Sequence, residues 1–130
     1  MPTFELNKLV REKLVDDYEK SNQLAEYKKL TPIDHKFELI RKIIEEANEI
    51  EVDSSQDEII SEIADIKQAI DDLSELCGIS NEQIELKKQA KFDKKGGFKA
   101  GVYVTTITLK DDDEWVKYYR ERPDVFPEKK

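Results

Sequence analysis

The stretch TPIDHKFELIRKIIEEANEIEVDSSQDEIISEIADIKQAIDDLSELCG, residues 31–78, decides the fold class. Thr31, Pro32 and Asp34 supply an N-cap, a proline at the first helical position and an acid at N3, and together predict a helix running to about Val52. Asp53, Ser54 and Ser55 interrupt it. Ser55 with Glu58 makes a second capping box, and the helix it opens should end near Cys77, where Gly78 is free to take the left-handed conformation beyond a helix end. Two long helices joined by a short polar break read as an antiparallel pair.

Working outward, residues 8–20, KLVREKLVDDYEK, carry Leu9, Val10, Leu14 and Tyr18 near helical spacing with no proline or glycine between them, which predicts a short first helix. Downstream, Ser80 and Gln83 repeat the capping device. The fourth helix carries Ile84, Leu86, Ala90 and Phe92 until Gly96 and Gly97 stop it. Residues 102–109, VYVTTITL, are β-branched and aromatic and predict one short strand, paired with the extended start around Phe4 or with a second subunit. Trp115, Tyr118 and Tyr119 predict a helical turn that packs on the body or covers a site, and Pro123 and Pro127 mark irregular chain. The expected architecture is mainly α, four helices with one short C-terminal β-strand. Residues 1–110 form the domain and residues 111–130 its aromatic, proline-containing extension.

Composition bounds the function. Leu, Ile, Val and Phe number 35 of 130 residues, about 27% and above the roughly 20% below which a charged chain fails to collapse. A small core is expected. Charged residues make up 40% and the net charge is −8, so duplex nucleic acid and anionic membranes are disfavoured as partners by like sign. No long apolar run marks a membrane span or a secretory signal, and a cytoplasmic protein is expected. One cysteine, Cys77, and one histidine, His35, exclude an internal disulfide and a multi-thiolate zinc site and leave little room for a histidine triad. Chemistry has to run on carboxylates, lysines and arginines.

Two acidic pairs stand at helical spacing, Glu46 with Glu49 and Glu62 with Asp65. In so acidic a chain spacing alone proves little, and direction is more telling. With Ile59 as zero and about 100° per residue, Ile63, Ile66, Ala69, Ile70, Leu73 and Leu76 define an apolar arc, Glu62 falls inside it at about 300°, and Glu58 and Asp65 lie on its edge. Glu46 sits on the border of the corresponding arc of the preceding helix, with Glu49 further out. Carboxylates converging between two helices need cations, since an unpaired buried carboxylate costs several kcal/mol or takes up a proton. Lys42, one turn before Glu46, is one source, giving a lysine-carboxylate network. A hard divalent ion is the other, and oxygen ligands with retained waters suit Mg²⁺, or Mn²⁺, far better than Zn²⁺.

A basic stretch follows. Between Lys87 and Lys99 there are six lysines, Lys91 and Lys95 among them, and a single acid, Asp93. Such a run complements the dipole at a helix end, and beside an acidic metal site it also fits a polyphosphate whose charge is shared between metal and lysines. Gly96 and Gly101 imitate the glycine spacing of a phosphate-binding loop, but Val102 and Tyr103 stand where Lys and Ser or Thr are needed, so that reading is rejected.

Taken in order, KLVREK at 8–13, KIIEEANE at 42–49, SEIADI at 61–66 and KKGGF at 94–98 resemble the MazG-like all-α nucleotide pyrophosphohydrolases, in particular their small phosphoribosyl-ATP-pyrophosphohydrolase-like branch. The resemblance implies that Glu46, Glu49, Glu62 and Asp65 bind the metal and serve catalysis, and that Lys8, Arg11 and Lys95 contribute to the substrate site, with Lys42 and Lys91 as further candidate cations. It implies hydrolysis of a nucleoside triphosphate, including non-canonical nucleotides in a house-cleaning role, to a monophosphate and pyrophosphate. It also implies a homodimer or higher homo-oligomer. The branch usually has Asp where Glu12 stands, Ile-Pro where Leu14 and Val15 stand and often Glu where Ser61 stands, so a more continuous first helix is expected here. A phosphoribosyl-ATP hydrolase is the alternative within the enzymes, and a non-catalytic helical interaction module the alternative outside them. Sequence leaves the preferred base and sugar open.

Overall fold

Thr31 opens the principal helix as its type requires: its Oγ1 accepts from the Asp34 amide at 3.3 Å, with Pro32 in the first turn. The computed structural model describes all 130 residues and contains five helices and no strand. They are α1 (Leu14–Lys20), α2 (Pro32–Asn48), α3 (Gln56–Leu76), α4 (Asn81–Lys95) and α5 (Trp115–Arg120). The mainly helical expectation is met. The chain forms two compact units, Met1–Asp93 and Lys94–Lys130, the division running through the last turn of α4.

In the first unit the capping boxes set the boundaries. Ser55 Oγ accepts from the Glu58 amide at 3.2 Å and donates to Glu58 Oε1 at 3.0 Å. Ser80 and Gln83 bond reciprocally, the Gln83 amide to Ser80 Oγ at 3.2 Å and the Ser80 amide to Gln83 Oε1 at 2.8 Å. Past α3, Gly78 takes φ +70°, and the amides of Gly78 and Ile79 return to the carbonyls of Glu75 and Ser74, which closes a Schellman motif. Asn22, at φ +57°, does the same after α1, its amide and that of Gln23 bonding the carbonyls of Glu19 and Tyr18.

Three expectations of secondary structure need correction. Helix α2 stops at Asn48 and not near Val52, because the last amides tighten onto carbonyls three residues back and Ser54 Oγ captures the Glu51 amide at 3.0 Å. Helix α1 begins at Leu14, not Lys8. No side chain caps its start, Asn7 lies in the left-handed region, and Lys8 and Arg11 are drawn away to acids on α2 and α3, so the departures at Leu14 and Val15 do not extend it. Finally, residues 102–109 form no strand within this chain. β-propensity fixes nothing without a ladder, and neither these residues nor those around Phe4 find a partner strand here.

Helices α2 and α3 pack along each other, and no other pair of helices packs comparably. The short connection, residues 49–55, folds α3 back antiparallel. Their seam buries Leu39 and Ala69, with Ile43, Ile59, Ile66, Leu73 and Leu76 half-buried around them. Ile63 and Ile70, expected in the core, are exposed.

The second unit is held by its own aromatics. Asp113 Oδ1 accepts from the Trp115 amide at 2.8 Å at the start of α5, and Trp115, Tyr118, Tyr119 and Phe126 pack edge-on or tilted with ring centroids 5.0–6.5 Å apart. The Arg122 guanidinium lies 4.0 Å over the Tyr118 ring, and Arg120 pairs with Glu128 at 2.8 Å.

Candidate metal centre

The α2–α3 seam carries, beside its two buried apolar residues, one buried charge. Glu46 is 6% exposed, a depth at which a carboxylate persists only with partners. Helical spacing puts it on the side of α2 that also holds Leu39, so the packing that makes the seam forces it inward. From the facing helix Glu62 and Asp65, one turn apart and both half-buried, reach the same point. Carboxylate oxygens of Glu46, Glu62 and Asp65 lie within 4.8 Å of one another, and a second group, Glu45, Glu46 and Glu49, shares Glu46. All four acids named from sequence therefore meet around Glu46. Glu49 differs from the others in being exposed, at the C-cap of α2.

Basic residues bracket this cluster. Lys42 Nζ lies 3.2 Å from Glu46 and 3.5 Å from Glu45. From the irregular segment before α1, Arg11 Nη2 donates to Asp65 Oδ1 at 2.6 Å and Lys8 Nζ to Glu45 Oε1 at 3.5 Å. Glu45 is the participant that sequence reasoning passed over. On a helical wheel it points away from α3, and its signal was the Lys42-Glu45 spacing of three. Lys91 stands exposed on α4 without an ion pair, and Lys95 is the last residue of α4, in the second unit.

The electrostatics leave one acid unresolved. Glu62 Oε2 is buried and has no hydrogen-bond partner. Hydrogen bonding toward the Glu46 carboxyl and partial burial, with Glu49 close by, push the Glu62 carboxyl up to about 7. The same bond to Glu62, against burial and with Lys42 beside it, holds Glu46 below its ordinary value. Partial burial pulls the Lys42 ammonium down, but Glu46 and Glu45 outweigh it and keep it raised. The two carboxyls are thus pushed apart, Glu62 upward and Glu46 downward, where a cation between them would favour both as carboxylates. An orphaned carboxylate oxygen among hard oxygen donors is a set that fits Mg²⁺ or Mn²⁺ and has none of the nitrogen or sulfur donors that zinc prefers.

Against this geometry, no family model, no curated protein and no solved structure matches the chain. No helix is long and apolar enough to cross a membrane.

Proposed function

We propose that this chain is a Mg²⁺-dependent nucleotide pyrophosphohydrolase, converting a nucleoside triphosphate, ordinary or non-canonical, to a monophosphate and pyrophosphate. The observation that carries the reading is the convergence of Glu46, Glu62 and Asp65 with one buried oxygen of Glu62 left without a partner. These are acids that the MazG-like resemblance assigns to the metal, and Glu49 adjoins them through Glu46. Glu46, Glu49, Glu62 and Asp65 would hold the ion. When bound there, Mg²⁺ supplies positive charge against the phosphates and acidifies a water for attack on phosphorus. Arg11 and Lys8 bring donors to the rim of the cluster, and an arginine on a carboxylate can exchange that partner for a phosphate oxygen of similar geometry.

The test is pyrophosphate release from a panel of ordinary and modified nucleoside triphosphates, and phosphoribosyl-ATP, with and without Mg²⁺. Metal-dependent release from any member supports the reading, and the preferred member assigns the substrate. The ion pairs of Arg11 with Asp65 and Lys42 with Glu46 favour a second reading, a helical interaction module whose acids are neutralised by its own cations. No turnover across the panel and no divalent-ion binding would select it.

A further inference from the structure

The three acids that converge at the α2–α3 seam, Glu46, Glu62 and Asp65, differ in how the chain's own cations meet them. Glu46 has Lys42 Nζ at 3.2 Å, and the same ammonium reaches Glu45 at 3.5 Å. Lys42 can therefore give up Glu46 and stay paired. Glu62 pairs with no cation, and its buried Oε2 has no partner of any kind. Asp65 holds Arg11, whose Nη2 donates to Oδ1 at 2.6 Å, and this is the only side-chain bond that the guanidinium makes. Arg11 stands outside any helix, on the segment before α1, and its side chain is 58% exposed. It is tied to the cluster by one contact and is free to swing outward.

We infer that Arg11 is an internal competitor of the divalent ion for Asp65, displaced when the ion binds and released to a phosphate at the rim, so that metal and phosphate binding strengthen one another. The inference rests on the metal reading and adds to it a regulation of the same site. A carboxylate carries one negative charge, and a guanidinium and a divalent ion drawn to the same carboxylate repel each other. Arg11 brings a single charge through one partly exposed contact, a weak hold, whereas an ion on Asp65 also draws on Glu46 and Glu62. Once displaced, Arg11 finds neither of those two acids free, and its planar donors fit phosphate oxygens as well as they fit a carboxylate. By linkage, a phosphate that takes the guanidinium from Asp65 raises the affinity for the ion by the same factor by which the ion raises the affinity for phosphate. Lys8 lies beside Arg11 in sequence but pairs with Glu45, outside the group of three. Its removal frees no member of that group.

The test uses Mg²⁺ alone and then inorganic phosphate, with no turnover. In calorimetric titration Arg11→Ala should bind Mg²⁺ about two- to fivefold more tightly than wild type, the range of a partly exposed ion pair, and Lys8→Ala should gain less. The second readout is the side-chain ¹⁵N spectrum of the wild-type chain. It contains four arginines, Arg11, Arg41, Arg120 and Arg122, and Arg11→Lys assigns the resonance of the first. Mg²⁺ should move the Arg11 resonance and leave those of Arg120 and Arg122 in place, and phosphate should move it further with Mg²⁺ present than without. Mg²⁺ binding that is unchanged or weakened in Arg11→Ala, or an Arg11 resonance indifferent to Mg²⁺, overturns the inference and leaves the metal site standing, with Arg11 a fixed partner that orients Asp65. Equal gains in Arg11→Ala and Lys8→Ala would reduce the effect to net charge and overturn it as well. No Mg²⁺ binding in wild type or in any variant overturns the metal reading itself, and this inference with it.

Discussion

Arg11 Nη2 and Asp65 Oδ1 lie 2.6 Å apart across 54 residues of chain, and this one bond brings the segment before α1 onto the side of α3 that carries the acidic cluster. The pair is partly solvent-exposed, so it contributes little to stability, about 0–1 kcal/mol. Its importance is positional. In the proposed function the arginine is the donor that a phosphate would meet at the rim of the cluster.

Arg11→Ala should therefore leave the melting temperature within a few degrees of wild type yet lower kcat/KM about tenfold or more, since a charge-assisted contact is worth roughly 1.5–3 kcal/mol. Divalent-ion binding should persist, because Asp65 is freed and not removed. Steady-state kinetics beside calorimetric Mg²⁺ titration separate the two effects, and unchanged kinetics in the variant would remove Arg11 from the site.

Glu62→Gln tests the orphaned carboxylate. Turnover should vanish while the helical circular dichroism spectrum remains. The metal-free variant should melt at or above the wild-type temperature, because an amide carries no charge against Glu46 and Glu49. Mg²⁺ should raise the wild-type melting temperature more than that of the variant.

The raised Glu62 carboxyl fixes a pH dependence. Its ordinary value is 4.5 and its folded value about 7, so between them the folded chain holds more proton than the unfolded chain. Its contribution to stability is complete below pH 4.5 and is lost as pH rises through 7. Metal-free wild type should thus melt at a lower temperature at pH 7.5 than at pH 5, and Glu62→Gln should flatten that slope. For the same reason Mg²⁺ affinity should increase through this window as Glu62 ionises. A wild-type slope of opposite sign would contradict the raised Glu62 carboxyl.

Helix termini offer a control remote from the chemistry. Ser55→Ala and Ser80→Ala each remove a cap bond and should cost about 1 kcal/mol. Gly78→Ala forces a side chain into φ +70° with nothing within 4 Å of its Cβ, so its cost, about 1–2 kcal/mol, is conformational and not steric. Chemical denaturation should rank all three as destabilising.

Where a boundary depends on neighbours in sequence, it is legible there. Thr31, Ser55, Ser80 and Gly78 mark helix ends because their bonds close within a few residues. The start of α1 was not legible, because Lys8 and Arg11 are held by Glu45 and Asp65 from far along the chain. The segment 102–109 was not either, since a strand exists only with its partner. For the site, helical direction correctly singled out Glu46, Glu62 and Asp65 but reversed their depth. Glu62 lies inside the apolar arc of its own helix, yet Glu46 is the buried one. Each arc merges two faces, one toward the neighbouring helix and one uncovered in the single chain, and its centre points at neither.

In the proposed reaction, water held at the acidic cluster attacks the α phosphorus. Turnover of the preferred nucleoside triphosphate in ¹⁸O-labelled water with Mg²⁺, followed by mass spectrometry, tests it most directly. Label should appear in the nucleoside monophosphate and none in the pyrophosphate. Release of labelled orthophosphate with a nucleoside diphosphate would place attack at the γ phosphorus and contradict both the mechanism and the resemblance behind it.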